Sequence, residues 1–176
     1  METGIRLASH DDLESVAAFF TSVYEARHGV GSARNMEMLQ RTVSSLFGDN
    51  DALTVLVSES AGLLQGVAAV KHSEVGGPCE LVTIQTNDSV QGRGVAQTLL
   101  RQVIEMCASR GGTVLATGVP MADVRARGFL RREGFVVSAE EPDAGRLGAD
   151  GSVTYRLDVV EAFARAARAA NSDGVE

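Results

Sequence analysis

The residues between positions 91 and 96 are the part of the sequence best suited to hold an anion. They have the sequence QGRGVA, and they open a run of residues with helical spacing. The first N–H groups of a helix lack internal acceptors, and the helix dipole adds partial positive charge there. Gly92 and Gly94 remove side chains that would keep a phosphate away, and Arg93 adds a permanent charge. The segment therefore predicts a phosphate-binding turn.

Two elements must position this turn. Before it, residues 81–86 are rich in β-branched types without a breaker and predict a largely buried strand, which the polar turn 87–89 ends. After it, apolar residues recur at helical spacing on one face, namely Val95, Leu99, Leu100, Val103, Ile104 and Cys107. Gly111-Gly112 ends this helix. A strand, a glycine-rich turn and a helix together direct main-chain N–H groups at one point.

The rest of the chain predicts further strands and helices in a definite order. Strands are predicted over residues 5–8, 52–58, 63–72, 113–116, 135–137 and 153–159, and the last of these alternates between apolar and polar residues. Ser9-x-x-Asp12 predicts the start of a helix that runs to about Tyr24, and further helices are predicted over residues 35–47, 121–132 and 160–170. Ala61-Gly62 joins the second and third strands as a hairpin. The order is β-α-α-β-β-β-α-β-α-β-β, followed by an extra helix.

The pattern Gln-x-x-Gly-x-Ala in residues 91–96, one turn beyond a strand, resembles the acyl-CoA signature of the GNAT family of N-acetyltransferases. In that family the amides of this motif hold the pyrophosphate of coenzyme A. The element order resembles the family over roughly residues 4–159, and Gly134-Phe135 resembles its Gly-Phe after the fourth helix. The resemblance implies an α/β (α+β) fold, in which helices flank a mixed, twisted central sheet of about seven strands and an extra C-terminal helix follows.

The activity that the resemblance implies is acetyl transfer from acetyl-CoA to a primary amine of a small molecule or protein by direct attack. By this analogy, the main chain of Ile84, Gln85 and Thr86 pairs with the pantetheine amides as an added strand would. The main chain of Gln91, Gly92, Arg93, Gly94, Val95 and Ala96 holds the pyrophosphate. An amide near Thr86 is also a candidate for polarising the thioester oxygen.

Glu80 is the candidate general base. It lies six residues before Thr86, where several members of the family place a glutamate that deprotonates the amine, often through water. Burial beside apolar neighbours would raise the pKa of this carboxyl towards neutrality. A solvated carboxylate at a strand edge is the alternative interpretation, and His28 and His72 are alternative bases.

Two positions depart from the family pattern. Leu130 stands where a tyrosine commonly donates a proton to the thiolate, and leucine has no proton to give. Asp123 stands where an asparagine commonly contacts the cofactor, which adds a negative charge beside coenzyme A. Either Tyr24, Tyr155 or water protonates the thiolate, or the protein is a weak enzyme. A catalytically weak or inactive acyl-CoA-binding module is therefore the alternative function.

Composition and charge narrow the other possibilities. We expect a single domain over residues 1–176, with its core over about 4–159, a helix over 160–170 and a disordered tail over 171–176. The net charge of −7 argues against nucleic-acid binding and mildly favours cationic substrates such as amines. The chain has no apolar run of membrane-spanning length and no apolar region typical of a signal peptide. We therefore expect a cytoplasmic protein without membrane contact.

The remaining motifs indicate little further chemistry. Cys79 and Cys107 predict two reduced thiols, and we expect no metal because the sequence has neither CxxC nor a histidine pair at ligand spacing. A dinucleotide-binding oxidoreductase fits poorly, because Gln97 occupies the place of the third glycine and no acidic residue follows at the required distance. The absence of a P-loop pattern excludes that class. The acceptor amine depends on the loops 25–34, 73–78 and 140–151, whose sequences do not identify it.

The C-terminal helix is expected to cover the domain. Its predicted apolar stripe consists of Val160, Phe163, Ala167 and Ala170. Such a stripe most simply packs on its own domain, although a homodimer contact stays open as an alternative.

Overall fold

The computed structural model describes residues 4–29, 33–48, 51–138 and 151–172. The strands are β1 (Gly4–Leu7), β2 (Leu53–Ser60), β3 (Leu63–His72), β4 (Cys79–Thr86), β5 (Val114–Pro120), β6 (Val136–Val137) and β7 (Ser152–Asp158). The helices are α1 (Leu13–His28), α2 (Ala33–Leu46), α3 (Val95–Ser109), α4 (Val124–Arg132) and α5 (Val159–Ser172). Short 3₁₀ helices span His10–Asp12 and Asp88–Val90. The predicted order of strands and longer helices is confirmed.

The seven strands belong to one mixed sheet in the order β1-β2-β3-β4-β5-β7-β6. Neighbouring strands run antiparallel in the β1–β2, β2–β3, β5–β7 and β6–β7 pairs, whereas β4 and β5 run parallel. The predicted mixed sheet of about seven strands with flanking helices is confirmed. Within the described ranges, no helix has the length and apolarity needed to cross a bilayer.

The chain divides into two compact units. The first contains residues 1–71 and 83–100, and the second contains residues 72–82 and 101–176. The first unit has a core of apolar side chains from α1, α2, β2 and β3: Val16, Phe19, Phe20, Val23, Val43, Leu46, Val55, Val57, Val67 and Ala69. This core fixes α1 against the strands that carry the hairpin.

The turn between β2 and β3 contains an unusual backbone conformation. Ala61 has φ +52° and Gly62 has φ +75°, and Ser60 pairs with Leu63 across the turn. Positive φ at both central positions is typical of the tight hairpin turns that match the twist of the strands. Ala61 is the one residue other than glycine with positive φ in the described ranges. Its Cβ is therefore held in a conformation that strains an L-amino acid.

Replacing Ala61 by glycine is expected to stabilise the protein. Glycine adopts positive φ without steric cost, and this gain outweighs its greater entropy loss on folding, so the free energy of unfolding should rise by about 0.5 kcal/mol. Chemical denaturation measures the difference. Ala18→Gly, on the exposed side of α1, is the matched control and should instead lower stability by about 1 kcal/mol. A loss of stability in both variants would contradict the strain at Ala61.

The boundaries in the second unit differ from the predictions. The strand predicted over residues 113–116 continues to Pro120 as β5, and the helix predicted from residue 121 begins at Val124. Asp123 explains this start, because its Oδ1 accepts a hydrogen bond from the Ala126 amide at 2.9 Å. Such a cap satisfies one of the unpaired donors at a helix N-terminus.

The packing predicted for the C-terminal helix is wrong. Val159 and Ala162 of α5 are buried, whereas Val160 and Phe163 are 62% and 45% exposed, and Ala167 is exposed as well. The inward face is thus shifted from the predicted stripe. The helix also includes residues 171 and 172, which were predicted to begin a disordered tail. Residues 140–150 of the predicted acidic loop lie outside the described residues.

Candidate functional site: a main-chain cradle at the start of α3

The turn before α3 brings an open stretch of main chain to the helix N-terminus. Gly92 has φ +76° and Gly94 has φ +78°, and the Gly94 carbonyl accepts the first helical hydrogen bond from Thr98 at 2.9 Å. A Cβ added at Gly92 would meet no atom within 4 Å, and one at Gly94 would meet only Gln97 Oε1 at 3.8 Å. Glycine is therefore suited to these two positions by their positive φ angles, and the space beside the main chain is open.

Four amides of this turn are available to a ligand. The N–H groups of Gly92, Gly94, Val95 and Ala96 have no protein acceptor among the described residues. Val95 and Ala96 begin a helix of 15 residues, so their amides carry the partial positive charge of its N-terminus. This arrangement suits a phosphate or pyrophosphate group.

The turn at residues 91–96 leaves fewer main-chain amides available to a ligand than the sequence suggested. The Gln91 amide donates to the Asp88 carbonyl at 3.2 Å, and the Arg93 amide donates to the Val90 carbonyl at 3.1 Å. The short 3₁₀ helix before the turn uses these two donors internally. The side chains of Gln91 and Arg93 are exposed, so these two residues can contact a ligand through their side chains rather than through their amides.

The end of β4 presents its main-chain groups alternately to its two edges. The Asn87 amide donates to the Gln65 carbonyl of β3 at 3.0 Å, and the Gln85 carbonyl oxygen lies 3.2 Å from the position of a Cβ on Gly66. Odd-numbered residues thus face β3, and strand alternation turns Ile84 and Thr86 to the other edge. The main chain of Gln85 therefore faces β3 rather than the other edge of β4.

The pairing of β4 with β5 is short. The described register joins Cys79 to Leu115 and Glu80 to Ala116, and it includes no residue of β4 beyond Glu80. The edge of β4 at Ile84 and Thr86 therefore keeps main-chain groups that an extended ligand can pair with, as an added strand would.

The Arg27 side chain of α1 forms hydrogen bonds with the end of β4. This residue was not among those predicted from the sequence to belong to the site. Its Nη1 donates to Gln85 Oε1 at 2.7 Å, its Nη2 donates to the Thr86 carbonyl at 3.2 Å, and Nη2 lies 3.6 Å from Asp88 Oδ1. One guanidinium thus joins the strand end to the 3₁₀ helix that leads into the cradle. No sequence pattern links Arg27 to partners that lie about 60 positions further along the chain.

Arg27→Gln is expected to weaken coenzyme A binding by about 10-fold, because hydrogen bonds from a charged donor that hold the strand end are lost. Isothermal titration with coenzyme A measures the change. Arg41→Gln is the matched control, since Arg41 is exposed on α2 and pairs with Glu37 one turn away. Equal affinities for the two variants would show that the Arg27 contacts do not position the site.

The raised pKa predicted for Glu80 required a buried carboxylate, whereas the structure has this carboxylate exposed. Glu80 is exposed on β4, while its neighbours Cys79 and Leu81 are buried on the opposite face. Of the two interpretations left open for Glu80, the structure supports the solvated carboxylate, because strand alternation turns it to the same side as Val82, which is 42% exposed. Glu80 is a solvent-accessible carboxylate in the strand that leads to the cradle.

The alternative bases differ in accessibility. His28 is exposed, and its ring centroid lies 4.8 Å from that of Tyr24. His72 is 3% exposed, and burial together with the nearby Arg110 charge lowers its pKa. A buried imidazole has no access to an incoming amine, so His72 does not fit the role.

The two departures from the family pattern have structural explanations. Leu130 is 3% exposed and belongs to the apolar interior. Asp123 caps α4, so its carboxylate is engaged by the helix itself. Tyr155, an alternative proton donor, is fully buried, and its hydroxyl oxygen accepts a hydrogen bond from Arg127 Nε at 3.2 Å.

A second concave surface lies in the first unit, beside the β2–β3 hairpin. It has a volume of about 420 Å³ and is lined by residues of α1, the hairpin and the turn after β4. Its charged side chains are paired with each other, since Arg6 contacts Asp12 at 2.8 Å and Glu59 at 3.1 Å. The Arg6 guanidinium holds the pKa of the Asp12 carboxyl well below its usual range. Asp12 is thus committed to an ion pair and is not a candidate base.

Sequence comparison finds a family that matches most of the site. The sequence model of the Acetyltransferase (GNAT) family matches residues 16–135, which include β4, the cradle and α3. No curated protein sequence matches the chain.

Solved structures with low sequence identity share the fold. The chain is similar to a GNAT-family acetyltransferase from Staphylococcus aureus Mu50 (TM-score 0.71, 13% identity) and to the PaiA N-acetyltransferase from Thermoplasma acidophilum in complex with coenzyme A (TM-score 0.69, 16% identity), each match covering 90% of this chain and 99% of the other. It is also similar to the ribosomal-protein-S18-alanine N-acetyltransferase from Escherichia coli (TM-score 0.65, 18% identity), with 90% and 94% covered.

Proposed function

The chain belongs to the GNAT acetyltransferase family, and from this premise we propose that it transfers an acetyl group from acetyl-CoA to a primary amine. The acceptor is a small molecule or a protein, and the amine attacks the thioester carbonyl directly. Acetyl transfer from acetyl-CoA is the chemistry expected of the family, and one structural neighbour was solved with coenzyme A.

The observation that carries this proposal is the set of unpaired amides at residues 92, 94, 95 and 96. A pyrophosphate placed there receives several N–H donors and the positive end of the α3 dipole. The exposed Arg93 side chain supplies a further charge beside the cradle. The two glycines keep the approach open for the phosphate oxygens.

The pantetheine arm would extend from the cradle along β4. On the edge away from β3, the strand offers the N–H and carbonyl of Ile84 and the N–H of Thr86, while the Thr86 carbonyl is held by Arg27. An amide on this edge would donate to the thioester oxygen as negative charge develops there, which is the largest single contribution in many acyl transfers.

Glu80 would take the proton of the attacking amine through water. It lies four residues before Ile84 in the same strand, a span of about 13 Å, and the span to Thr86 is about 20 Å. Because both spans are longer than a glutamate side chain, the proposal includes a water relay between Glu80 and the attacking amine.

A second candidate function is acyl-CoA binding without efficient turnover. Leu130 favours it, because this buried side chain puts no proton donor at the position where the family commonly has a tyrosine. Thiols are fairly acidic, so a thiolate can depart without a proton from the protein, and water can protonate it afterwards. The lack of a donor at position 130 therefore need not abolish catalysis.

Thiol release from acetyl-CoA, followed by mass spectrometry of the acceptor, tests both candidates. The acceptors are a diamine, an aminoglycoside, a peptide with a free N-terminal alanine and a peptide with an internal lysine. We expect release with at least one of them and a product heavier by one acetyl group. Binding of acetyl-CoA without release on any acceptor favours the second candidate. Failure to bind coenzyme A at all overturns both.

A further inference from the structure

Three potential metal ligands converge in the second unit. His72 ends β3, Cys79 begins β4, and Cys107 lies in the last turn of α3. His72 Nδ1 lies 3.7 Å from Cys79 Sγ, and one ligand atom from each residue lies within 4.8 Å of the other two. The residues are 3%, 3% and 0% exposed. The folded chain thus assembles a histidine and both of its cysteines, although they share no sequence motif.

The cluster is imperfectly satisfied when it contains only protein atoms. His72 Nε2 is buried and has no hydrogen-bond partner among the described residues. An ion bound at Nδ1 would leave Nε2 in its present surroundings, so the case for an ion rests on the distances between the ligand atoms.

We propose that His72, Cys79 and Cys107 form a binding site for Zn²⁺. Zn²⁺ takes thiolate ligands at about 2.3 Å and imidazole nitrogen at about 2.0 Å, so tetrahedral geometry separates S and N by about 3.6 Å and two S atoms by about 3.8 Å. The observed 3.7 Å between Cys79 Sγ and His72 Nδ1 already matches the first of these separations. The other separations between ligand atoms are within 4.8 Å, so they must shorten by roughly 1 Å to reach this geometry.

The charges of the ligands also favour a divalent ion. Two thiolates and a neutral imidazole cancel the charge of Zn²⁺, so the loaded site adds no net charge to a buried region. On binding, each thiol releases its proton to solvent and a Zn–S bond forms. An exogenous ligand such as water completes the tetrahedron, as in zinc sites with three protein ligands.

Metal titration of the reduced full-length protein tests the site. With Zn²⁺ in competition with a chromogenic chelator, we expect one ion per chain. Zn²⁺ at a hundredfold excess over its dissociation constant should raise the melting temperature by roughly 5–10 °C. Co²⁺, bound in place of Zn²⁺, should give the intense absorption of tetrahedral cobalt with thiolate-to-metal charge transfer. Absence of binding, or a cobalt spectrum without thiolate bands, overturns the proposal.

The three histidines and two cysteines of the chain permit a complete set of variants. His72→Gln, Cys79→Ser and Cys107→Ser should each weaken Zn²⁺ binding by about 100-fold or more, because even the loss of an outer-shell partner costs 10–100-fold. His10→Gln and His28→Gln are matched controls and should bind as the wild type does. Circular dichroism of the metal-free variants checks folding, and Cys107→Ala replaces Cys107→Ser if the serine is not tolerated. Full binding in any of the three ligand variants contradicts the assignment.

Oxidation of the two thiols is the main competing outcome. If the isolated protein carries a Cys79–Cys107 disulfide, its intact mass will be lower by two hydrogens and it will bind no Zn²⁺. Binding that appears after reduction supports the metal site. A reduced protein that still binds no Zn²⁺ rules it out.

Discussion

Gly94→Glu is expected to abolish coenzyme A binding while the protein remains folded. The substitution places a carboxylate at the helix N-terminus where the pyrophosphate would lie, and it fills space that is open in the wild type. Like charges at this distance repel, and the new side chain competes for the same amides. We expect the affinity to fall by roughly 100-fold or more, which corresponds to about 3 kcal/mol. Isothermal titration with coenzyme A measures it.

Gly94→Ala separates the effect of charge from that of the backbone. Gly94 has φ +78°, so alanine and glutamate both strain the turn, and each should lower the free energy of unfolding by about 1–2 kcal/mol. Only the glutamate variant adds charge and bulk to the cradle. Coenzyme A should therefore bind the alanine variant far better than the glutamate variant. If both variants bind like the wild type, the pyrophosphate does not occupy this turn.

Glu80→Gln is expected to lower kcat by about 100-fold or more, since general-base catalysis contributes about 10²–10⁴-fold in rate. Glutamine keeps the size and polarity of the side chain but cannot take up the proton. Affinity for coenzyme A should stay unchanged, because the cradle amides lie in another segment of the chain. Steady-state kinetics on the best acceptor, together with titration of coenzyme A, separate the two effects.

The exposure of Glu80 makes this experiment clean. Substitutions of exposed residues usually change the free energy of unfolding by no more than about 0.5 kcal/mol, so a loss of rate cannot be assigned to unfolding. Glu74→Gln is the matched control, because Glu74 is an exposed carboxylate in the turn between β3 and β4. An unchanged kcat in Glu80→Gln would remove Glu80 from the mechanism and make His28 the next candidate. Equal losses in both variants would point to a general effect of surface charge.

The amino-acid sequence by itself determined the order of elements and the place of the glycine turn. Periodicities of two and of 3.6 residues are local properties, so they identified strands and helices in their correct order. Glycines at positions 92 and 94 signalled a special backbone before α3, and both have positive φ. The predicted boundaries of elements were less exact where a polar capping residue, rather than periodicity, sets them. Asp123 does so at the start of α4.

Only the tertiary structure decided which groups of the site are available. The internal hydrogen bonds of the Gln91 and Arg93 amides, and the orientation of the Gln85 main chain towards β3, depend on neighbours that the local pattern does not specify. The exposure of Glu80 depends on which face of β4 is covered. A sequence window contains none of this information.

Contacts between distant parts of the chain were likewise decided only by folding. Arg27 reaches the end of β4 from α1, and His72 meets Cys79 and Cys107 across three different elements. Such contacts leave no spacing motif, because loop lengths rather than periodicity separate the partners along the chain. The sequence therefore predicted the place of the glycine turn that is proposed to bind an anion, while the Arg27 contacts beside it, and the cluster proposed to bind Zn²⁺, emerged only from the packing of strands and helices.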